Sequence, residues 1–395
     1  MDPDKDTEPP QEVRKSKPFL VISLVLLSIA FCAVGAYFIW LRPLLASPLS
    51  EALDLGEIQP AEIPTLPAAS DQEVVSSDDQ KDMGEETDQS EPAQQEPKPA
   101  PSLDLTTLQQ EKEAEQQENP NLPICGEDRE LLILAVGIDY RGEDYLYGLG
   151  DVIRVIHVDF TLPQVNVVAL PRTLLISNLG ERLDVEGPIL LNQGYLFGTP
   201  GMGHYAGSGY GAGSLAEVIK INFGLDVDHY LVFNFNAFID FIDEIGGIEV
   251  DLPEVVDDRP YAYFPAGKQT LNGKETLDLA RVRRKYEAGY RINTQTMIIK
   301  TVLRKIIEPQ TLIKLPQLAL EMRNSVLTDV SPNQIQDAIC LLRNMSIDKI
   351  NFFSPGDDLI LADREYIPTT DSNMVIHRWD SFLVEWLFEA LWSTE

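Results

Sequence analysis

The chain has 395 residues and a formal net charge of −32, from 63 acidic against 31 basic residues. This length allows about two domains, and the excess of negative charge argues against a nucleic-acid partner, which would require a basic surface. With three cysteines and four scattered histidines, the chain also lacks the ligand spacing of a zinc site.

The first predicted element is an uncharged apolar segment at residues 18–40, long enough to cross a bilayer as one helix. Several basic residues precede it and only Arg42 follows it closely, so the positive-inside bias places residues 1–17 in the cytoplasm. A cleaved signal peptide is the alternative, but the apolar run is too long, and Tyr37 and Trp40 suit a membrane interface. We therefore predict a single-pass protein of the cytoplasmic membrane with an extracytoplasmic globular domain.

An acidic segment, residues 41–122, comes next. Between Glu51 and Pro120 there are 19 acidic residues, 3 lysines and no aromatic residue, which gives this stretch a charge of −16. Such a composition buries too little apolar surface to offset the entropy of ordering. We predict a disordered linker, with an acidic docking segment as the alternative.

Order is predicted to begin near residue 123, where strands alternate with helices in the pattern of an α/β sandwich. Apolar runs predict strands at residues 131–138, 152–159 and 164–170. Asp139 follows the first run and Asp151 precedes the second. If these strands pair, both carboxylates can lie at one edge of the sheet, where they would suit Mg²⁺.

A glycine-rich stretch at residues 194–213 is predicted to be a loop, followed by a helix over Ser214–Asn222 that begins with a capping box. Because no strand precedes these glycines, they do not form a dinucleotide-binding fingerprint. A mobile rim over a site and a plain surface loop both remain open. Residues 229–235 predict another strand, and Asn236 is expected to cap a helix over residues 237–244.

Four arginines have guanidinium groups that suit phosphate oxygens, and one glutamine lies close to the last of them. They are Arg172, Arg281, Arg283, Arg291 and Gln295. Arg281 and Arg283 point the same way if their stretch is extended, and Gln295 lies one turn after Arg291 at the start of a predicted helix. Solvated surface charges are the alternative, but four arginines near two carboxylates favour an anion site.

The last part, residues 310–395, is predicted to be an appended α+β subdomain. Ser331 is expected to cap a helix that ends at Leu342, and residues 350–353 predict a strand. Apolar residues at helical spacing over residues 375–387 predict an amphipathic helix. This helix either packs on the domain or contacts a membrane or partner.

Cys125 immediately precedes the globular domain and Cys340 falls in one of the late helices. Outside the cytoplasm a disulfide between these two cysteines can persist. Two unrelated buried thiols are the alternative, because no spacing rule fixes the pairing.

Over about residues 131–307, the order and spacing of these motifs resemble the LytR–CpsA–Psr family of bacterial envelope proteins. The matching positions are Val136-Gly137-Ile138-Asp139, Gly150-Asp151, Leu170-Pro171-Arg172, Asn192 with Tyr195, Asp228-His229-Tyr230, Ile245-Gly246-Gly247-Ile248-Glu249-Val250, Leu271-Asn272-Gly273, Ala280-Arg281-Val282-Arg283, Arg291 and Gln295. No single motif is diagnostic, but together they are specific.

The resemblance implies a three-layer α/β/α sandwich over residues 123–309 whose apolar interior holds a polyprenyl chain. It further implies an Mg²⁺-dependent phosphotransferase that moves a glycopolymer from a polyprenyl-pyrophosphate carrier to peptidoglycan during cell wall assembly. At the matching positions, Asp139 and Asp151 would be the acids associated with Mg²⁺ and with activation of the acceptor. The four arginines and Gln295 would form the pyrophosphate clamp.

The chain departs from the family pattern at three places. No arginine precedes the second acid within Tyr147–Gly150, and Arg141 and Arg154 are the candidates to replace it in binding pyrophosphate. Thr173 and Thr294 stand where the family has an aspartate and an arginine. Because this removes charge from the clamp, a non-catalytic protein that binds polyprenyl lipids or wall polymer is the main alternative, and a pyrophosphate hydrolase is the third hypothesis.

Overall fold

The computed structural model describes residues 52–56, 60–64, 104–118, 121–140, 147–282, 288–315, 317–318 and 326–394. The predicted cytoplasmic tail and the apolar segment at residues 18–40 lie outside the described residues. Among the helices within those ranges, none combines the length and apolarity needed to cross a membrane.

The described strands and helices are named here in chain order. The strands are β1 (Glu130–Ile138), β2 (Gly150–Asp159), β3 (Gln164–Leu170), β4 (Leu175–Ile176), β5 (Ile189–Leu190), β6 (His229–Phe233), β7 (Ile248–Leu252), β8 (Val256–Asp258), β9 (Ala262–Phe264), β10 (Gly267–Leu271), β11 (Leu327–Thr328), β12 (Ile350–Phe353), β13 (Leu361–Ile367) and β14 (Ser372–Arg378). The helices are α1 (Leu105–Glu118), α2 (Leu191–Phe197), α3 (Tyr210–Phe223), α4 (Phe235–Glu244), α5 (Gly273–Ala280), α6 (Ala288–Ile306), α7 (Pro309–Leu312), α8 (Pro332–Asn344) and α9 (Ser381–Leu391).

A mixed sheet of six strands, in the order β11-β6-β1-β2-β3-β12, forms the centre of the fold. β1, β2 and β3 are antiparallel neighbours, whereas β6 and β12 run parallel to β1 and β3. Alternate residues of β1, such as Leu134 and Val136, face a large core that also contains apolar residues of α3 and α9. On the opposite face, Leu131 packs with Leu341 of α8. Helices therefore cover both faces, and the fold is mixed α/β.

A second apolar cluster joins α4, α5 and α6 to β7 and β10. The cap of α4 differs from the prediction: the side-chain oxygen of Asn234 accepts the N–H of Ala237 at 2.8 Å, so Asn236 lies inside the helix. β6 consequently ends at Phe233, two residues before the predicted strand end. Both asparagines precede apolar residues, and the sequence alone does not rank them.

The predicted glycine-rich loop at residues 194–213 is partly helical. It includes most of α2 and the start of α3, so Ser214 lies within α3 and does not cap it. α3 passes so close to α2 that a Cβ on Gly211 would lie 2.6 Å from the carbonyl oxygen of Tyr195. Glycine at this position permits close helix contact and does not mark a loop.

Pieces of the predicted linker at residues 41–122 are ordered and contact the main core. Leu55 and Leu105 are only 6% and 4% exposed. The N–H of Ala61 donates to the carbonyl of Ile221 at 2.8 Å, and α1 begins at Leu105 itself. For these pieces the prediction of disorder is wrong, because a few leucines bury apolar surface that the average composition conceals.

Residues 310–395 contribute to the same sheet and the same core as the residues before them. β11 pairs with β6, and β12 pairs with β3. Helix α9 buries its apolar side in the main core, so this helix packs on the domain. Val375 and Ile376, which were expected in that helix, belong to β14, because Asp380 caps α9 and the helix begins only at Ser381.

Cys125 and Cys340 form a disulfide, with their Cα atoms 5.9 Å apart. The bond links the segment that precedes β1 to α8. Both cysteines pack against the small cluster of Leu131, Phe160 and Leu341. Of the two possibilities that the sequence left open, the structure contains the bond.

Candidate active site

The two candidate acids lie at the same end of the central sheet. Ile138 of β1 is opposite Gly150 of β2, so Asp139 and Asp151 each follow one member of this pair. The N–H of Asp139 donates to the carbonyl of Leu149 at 3.2 Å, and the N–H of Leu149 donates to Oδ1 of Asp139 at 2.8 Å. The antiparallel pairing of two short apolar strands therefore brings together acids that are twelve residues apart.

The carboxylate of Asp151 contacts two arginines that come from different parts of the chain. Nη1 of Arg172, just beyond β3, donates to Oδ1 of Asp151. Nη2 of Arg291, in the first turn of α6, lies 3.5 Å from Oδ2 and donates to the main-chain carbonyl of Asp151 at 3.1 Å. With its side chain only 12% exposed, Asp151 holds both guanidiniums in a partly buried site.

Gln295 and Arg281 extend this group toward α5. Nε2 of Gln295 donates weakly, at 3.4 Å, to the carbonyl of Ala280, the last residue of α5. The next residue, Arg281, places its guanidinium 4.9 Å from the centre of the Phe235 ring at the start of α4. We call Asp151, Arg172, Arg281, Arg291 and Gln295 the arginine cluster.

Asp139 differs from Asp151 because its side chain is exposed and contacts no arginine among the described residues. Only its Oδ1 has a described hydrogen-bond donor. One or two carboxylates, completed by water and phosphate oxygens, are what Mg²⁺ needs, so the donor set of Asp139 and Asp151 fits this metal. Among the described residues, no group of three or more His, Cys, Asp or Glu side chains is placed to hold a metal.

Two predicted site residues, Arg141 and Arg283, lie outside the described residues. The expectation that Arg281 and Arg283 point the same way therefore stays a prediction. Arg281 itself ends α5 in a helical conformation, with φ of −104° and ψ of 0°, so it is not part of an extended stretch.

Arg154 is a polar residue inside the sheet. In the sequence it was one of two candidates, with Arg141, to replace the missing arginine in binding pyrophosphate. It lies in β2 between the fully buried Ile153 and Val155, yet points to the opposite face. Its side chain is 4% exposed. Burial, reinforced by the charge of Arg291, lowers the pKa of its guanidinium to about 10. The sequence signal is a charged residue between two apolar pairs, Val152-Ile153 and Val155-Ile156.

His377 is a neighbour of the site that the sequence analysis did not identify. Oγ1 of Thr173, the residue after Arg172, lies 2.7 Å from Nδ1 of His377 in β14, and the N–H of His377 donates to the carbonyl of Thr173 at 2.8 Å. Burial lowers the pKa of His377, although Asp357 opposes this effect. The C-terminal hairpin of β13 and β14 thus fixes the loop that carries Arg172.

The model of the LytR_cpsA_psr family matches residues 102–375. Among relatives, the chain is 25% identical over 241 residues to the polyisoprenyl-teichoic acid–peptidoglycan teichoic acid transferase TagV of Bacillus subtilis (strain 168), which covers 58% of each chain. It is 29% identical over 188 residues to regulatory protein MsrR of Staphylococcus aureus (strain COL), covering 47% of this chain and 52% of MsrR. The chain therefore matches little more than half the length of these relatives.

Solved structures show the same fold. The crystal structure of B. subtilis TagV aligns with a TM-score of 0.53 at 22% identity, over 67% of this chain and 97% of TagV. Protein gbs0355 of Streptococcus agalactiae aligns with a TM-score of 0.52 at 16% identity, over 67% of this chain and 86% of that protein. At these identities the likeness concerns the architecture alone.

Proposed function

Because the chain belongs to the LytR_cpsA_psr family, we propose that it is a phosphotransferase of cell wall assembly. It would move a glycopolymer from a polyprenyl-pyrophosphate carrier to a hydroxyl group of peptidoglycan. One relative carries the name of a teichoic acid transferase and another that of a regulatory protein. The choice between these activities therefore rests on the chemistry of the site.

The observation that carries the proposal is the double contact of Asp151 with Arg172 and Arg291. One carboxylate holds two guanidiniums from separate elements at the same sheet end, so positive charge is in place before any substrate binds. Preorganised positive groups are what transfer of a phosphoryl group requires, because charge develops on the phosphate oxygens in the transition state. Arg281 and Gln295 would widen this anion site.

The two acids would have different roles. Asp151, engaged by two arginines, would position them for the pyrophosphate. Asp139 is exposed, so it would accept the proton of the acceptor hydroxyl as the oxygen attacks phosphorus and the bond to the prenyl phosphate breaks. Mg²⁺, held by Asp139 and Asp151 when bound, would supply further charge stabilisation to the phosphate oxygens.

The face of the sheet that carries Arg154 would receive the prenyl chain. Along this face Ile133, Val152 and Ile156 are only partly buried, whereas Leu131 and Val158 of the same face are buried in the cluster that contains Leu341. Partly covered apolar side chains next to an anion site suit a ligand with a long hydrocarbon tail and a charged head.

We further propose that the described domain lies outside the cytoplasmic membrane, anchored by residues 18–40. The disulfide between Cys125 and Cys340 supports an oxidising compartment, because such bonds are rare in reducing cytosol. Both the carrier lipid and peptidoglycan would then be within reach.

The proposal is tested by release of prenyl phosphate. The full chain in detergent micelles is mixed with Mg²⁺, a prenyl-pyrophosphate-linked oligosaccharide and peptidoglycan fragments, and the products are identified by mass spectrometry. Arg291→Met should slow transfer by about 100-fold, since one preorganised donor to the transition state is lost. Arg291→Lys should recover part of the rate, because it keeps the charge without the planar fork.

Arg343→Met is the matched control, because Arg343 is exposed on α8 and far along the chain from the cluster. It should leave the rate unchanged. A wild-type chain that binds the lipid but forms no glycan-linked peptidoglycan would overturn the transferase proposal.

A non-catalytic binding protein is the second candidate. It is favoured by Thr173, whose hydroxyl contacts His377 at the position where the sequence pattern leads one to expect an acid. Tight, Mg²⁺-independent binding of prenyl pyrophosphate without product would identify this function. A third outcome, prenyl phosphate release without any peptidoglycan acceptor, would identify a hydrolase.

A further inference from the structure

Arg154 has a guanidinium that the described part of the chain pairs only in part. In the register of the sheet, Arg154 lies between Ala135 of β1 and Ala169 of β3, so small side chains flank it on both sides. Nη1 donates to the carbonyl of Ile153 at 3.0 Å. Nη2 is buried and has no hydrogen-bond partner among the described residues.

This arrangement is energetically unfavourable in the absence of an anion. A buried charge is normally paired, because an uncompensated charge in the interior loses the stabilisation it has in water. Among the described residues no carboxylate forms a salt bridge with Arg154, and the charge that acts on it is that of Arg291, which repels it. The guanidinium nevertheless stays protonated at neutral pH, because its pKa is about 10.

The position of Arg154 connects the two parts of the proposed substrate site. It shares a sheet face with the half-buried Val152 and Ile156, which would contact the prenyl chain. Its electrostatic neighbour Arg291 belongs to the arginine cluster through Asp151. Arg154 therefore lies where an apolar tail would meet a charged head.

We propose that Arg154 is a further substrate-binding residue, whose Nη2 donates to an oxygen of the phosphate next to the prenyl chain. This inference rests on the proposed function and specifies how the site would recognise its substrate. The substrate would be a diphosphate ester whose prenyl-linked phosphate lies against the sheet face that carries Arg154. An anion at this point would pair Nη2 and screen Arg154 from Arg291.

A purely structural role makes the opposite prediction for stability. If Arg154 stabilised the fold, replacement by an apolar side chain of similar length would lower the melting temperature. If Arg154 is held uncompensated for a ligand, Arg154→Met should leave the melting temperature of the ligand-free chain unchanged or raise it. An unchanged or higher melting temperature is expected when the removed side chain serves ligand binding and destabilises the ligand-free fold.

The experiment measures binding of geranyl pyrophosphate and of geraniol to the full chain in detergent micelles by calorimetry. Arg154→Met should weaken binding of the pyrophosphate by about 10- to 100-fold, the range for one hydrogen bond to a charged group. Its affinity for geraniol should change less than about twofold, because the apolar face is intact. Arg154→Lys should give an intermediate loss, and Arg343→Met should bind like the wild type.

The outcomes separate this inference from the function on which it rests. If the wild type binds geranyl pyrophosphate and Arg154→Met binds it equally well, the role of Arg154 is wrong and the proposed function stands. If the wild type binds geraniol and geranyl pyrophosphate with equal affinity, the proposed function itself fails. Should Arg154→Met not fold, equal binding by Arg154→Lys and the wild type would refute the inference.

Discussion

The two ends of the central sheet treat charge in opposite ways. At one end lies the arginine cluster, with Arg154 behind it. At the other end lies a group that we call the histidine end, formed by Asp228, His229, Asp329 and Gln334. At the first end, two arginine side chains contact one carboxylate. At the second end, carboxylates accept hydrogen bonds from main-chain N–H groups and lie beside a histidine.

At the histidine end most polar groups pair within the fold, and Nδ1 of His229 lies beside the carboxylate of Asp329 without a hydrogen bond. Asp329 is 3% exposed, accepts the N–H groups of Tyr230 and Leu53 at 2.8 and 3.1 Å, and lies 3.4 Å from Nδ1 of His229. Asp228 accepts the N–H of Leu132 at 2.7 Å. These acids hold strand ends together, and they leave little capacity for a ligand.

In the arginine cluster and at the neighbouring Arg154, the positive groups are less completely paired with acceptors. Asp151 serves two guanidiniums, Arg281 rests on an aromatic ring, and Nη2 of Arg154 has no acceptor among the described residues. Charged residues thus stabilise the fold at the histidine end, whereas at the arginine cluster they would bind an anion. The difference is that the histidine has a carboxylate of the fold beside it, whereas no described carboxylate forms a salt bridge with Arg154.

The largest expected effect comes from removing the carboxylate that organises the arginine cluster. Asp151→Ala should reduce transfer by about 1,000-fold or more, because Arg172 and Arg291 lose their shared partner and repel each other. The domain should still melt cooperatively. Asp240→Ala, at an exposed position of α4, is the control and should retain full activity. Transfer by Asp151→Ala at more than a tenth of the wild-type rate would refute the assignment.

The disulfide lies beside β1 and β2 at the histidine end. Its removal therefore tests whether this end stabilises the fold without affecting ligand binding at the arginine cluster. The double variant Cys125→Ser, Cys340→Ser should lower the free energy of unfolding by about 2–4 kcal/mol. Its affinity for geranyl pyrophosphate should match that of the wild type as long as the chain is folded. A loss of affinity without a loss of stability would show that the two ends are not independent.

The smallest effects are expected from two histidines whose pKa values shift in opposite directions. At the histidine end, burial alone would lower the pKa of His229, but Asp329, Asp228 and Asp128 outweigh it and raise the pKa above 6.5. The stability that His229 contributes is therefore present below pH 6.5 and lost as the pH rises through its folded pKa. Beside the arginine cluster, burial lowers the pKa of His377, so its contribution is present above pH 6.5 and lost as the pH falls through its folded pKa.

Melting temperatures measured from pH 5 to 8 would check these directions. His229→Gln should flatten the decline of the wild type on the alkaline side, and His377→Gln should flatten the decline on the acid side. Each variant is the control for the other. A wild-type profile that both variants leave unchanged would show that neither histidine is linked to folding.

The elements with strong local signals could be predicted from the sequence. The apolar runs of β1, β2 and β3 and the capping box at Ser331 are present in the structure. Each depends on residues within a few positions of one another. The placement of Asp139 and Asp151 at one sheet end followed from the assumption that β1 and β2 pair.

What depends on distant contacts could not be predicted. Gly211 looked like loop sequence because the requirement for glycine is set by Tyr195, in another helix. The unsatisfied state of Arg154 depends on which residues lie across two neighbouring strands, and the contact of His377 with Thr173 joins positions 204 residues apart. Composition averaged over the acidic segment likewise concealed Leu55 and Leu105.

Those two leucines have a mechanical consequence. Lys220, near the C-terminal end of α3, donates to the carbonyl of Gly56 at 3.1 Å, and Leu105 lies against Gly224, the residue that ends the same helix. The residues on both sides of residues 65–103 therefore contact the C-terminal end of α3. Tension applied to the N-terminus would therefore reach the contacts of Gly56 and Ala61 with α3 before it reached Leu105. A single backbone cut within that stretch would leave both flanking pieces attached to the domain, so a protease could nick the chain without releasing it.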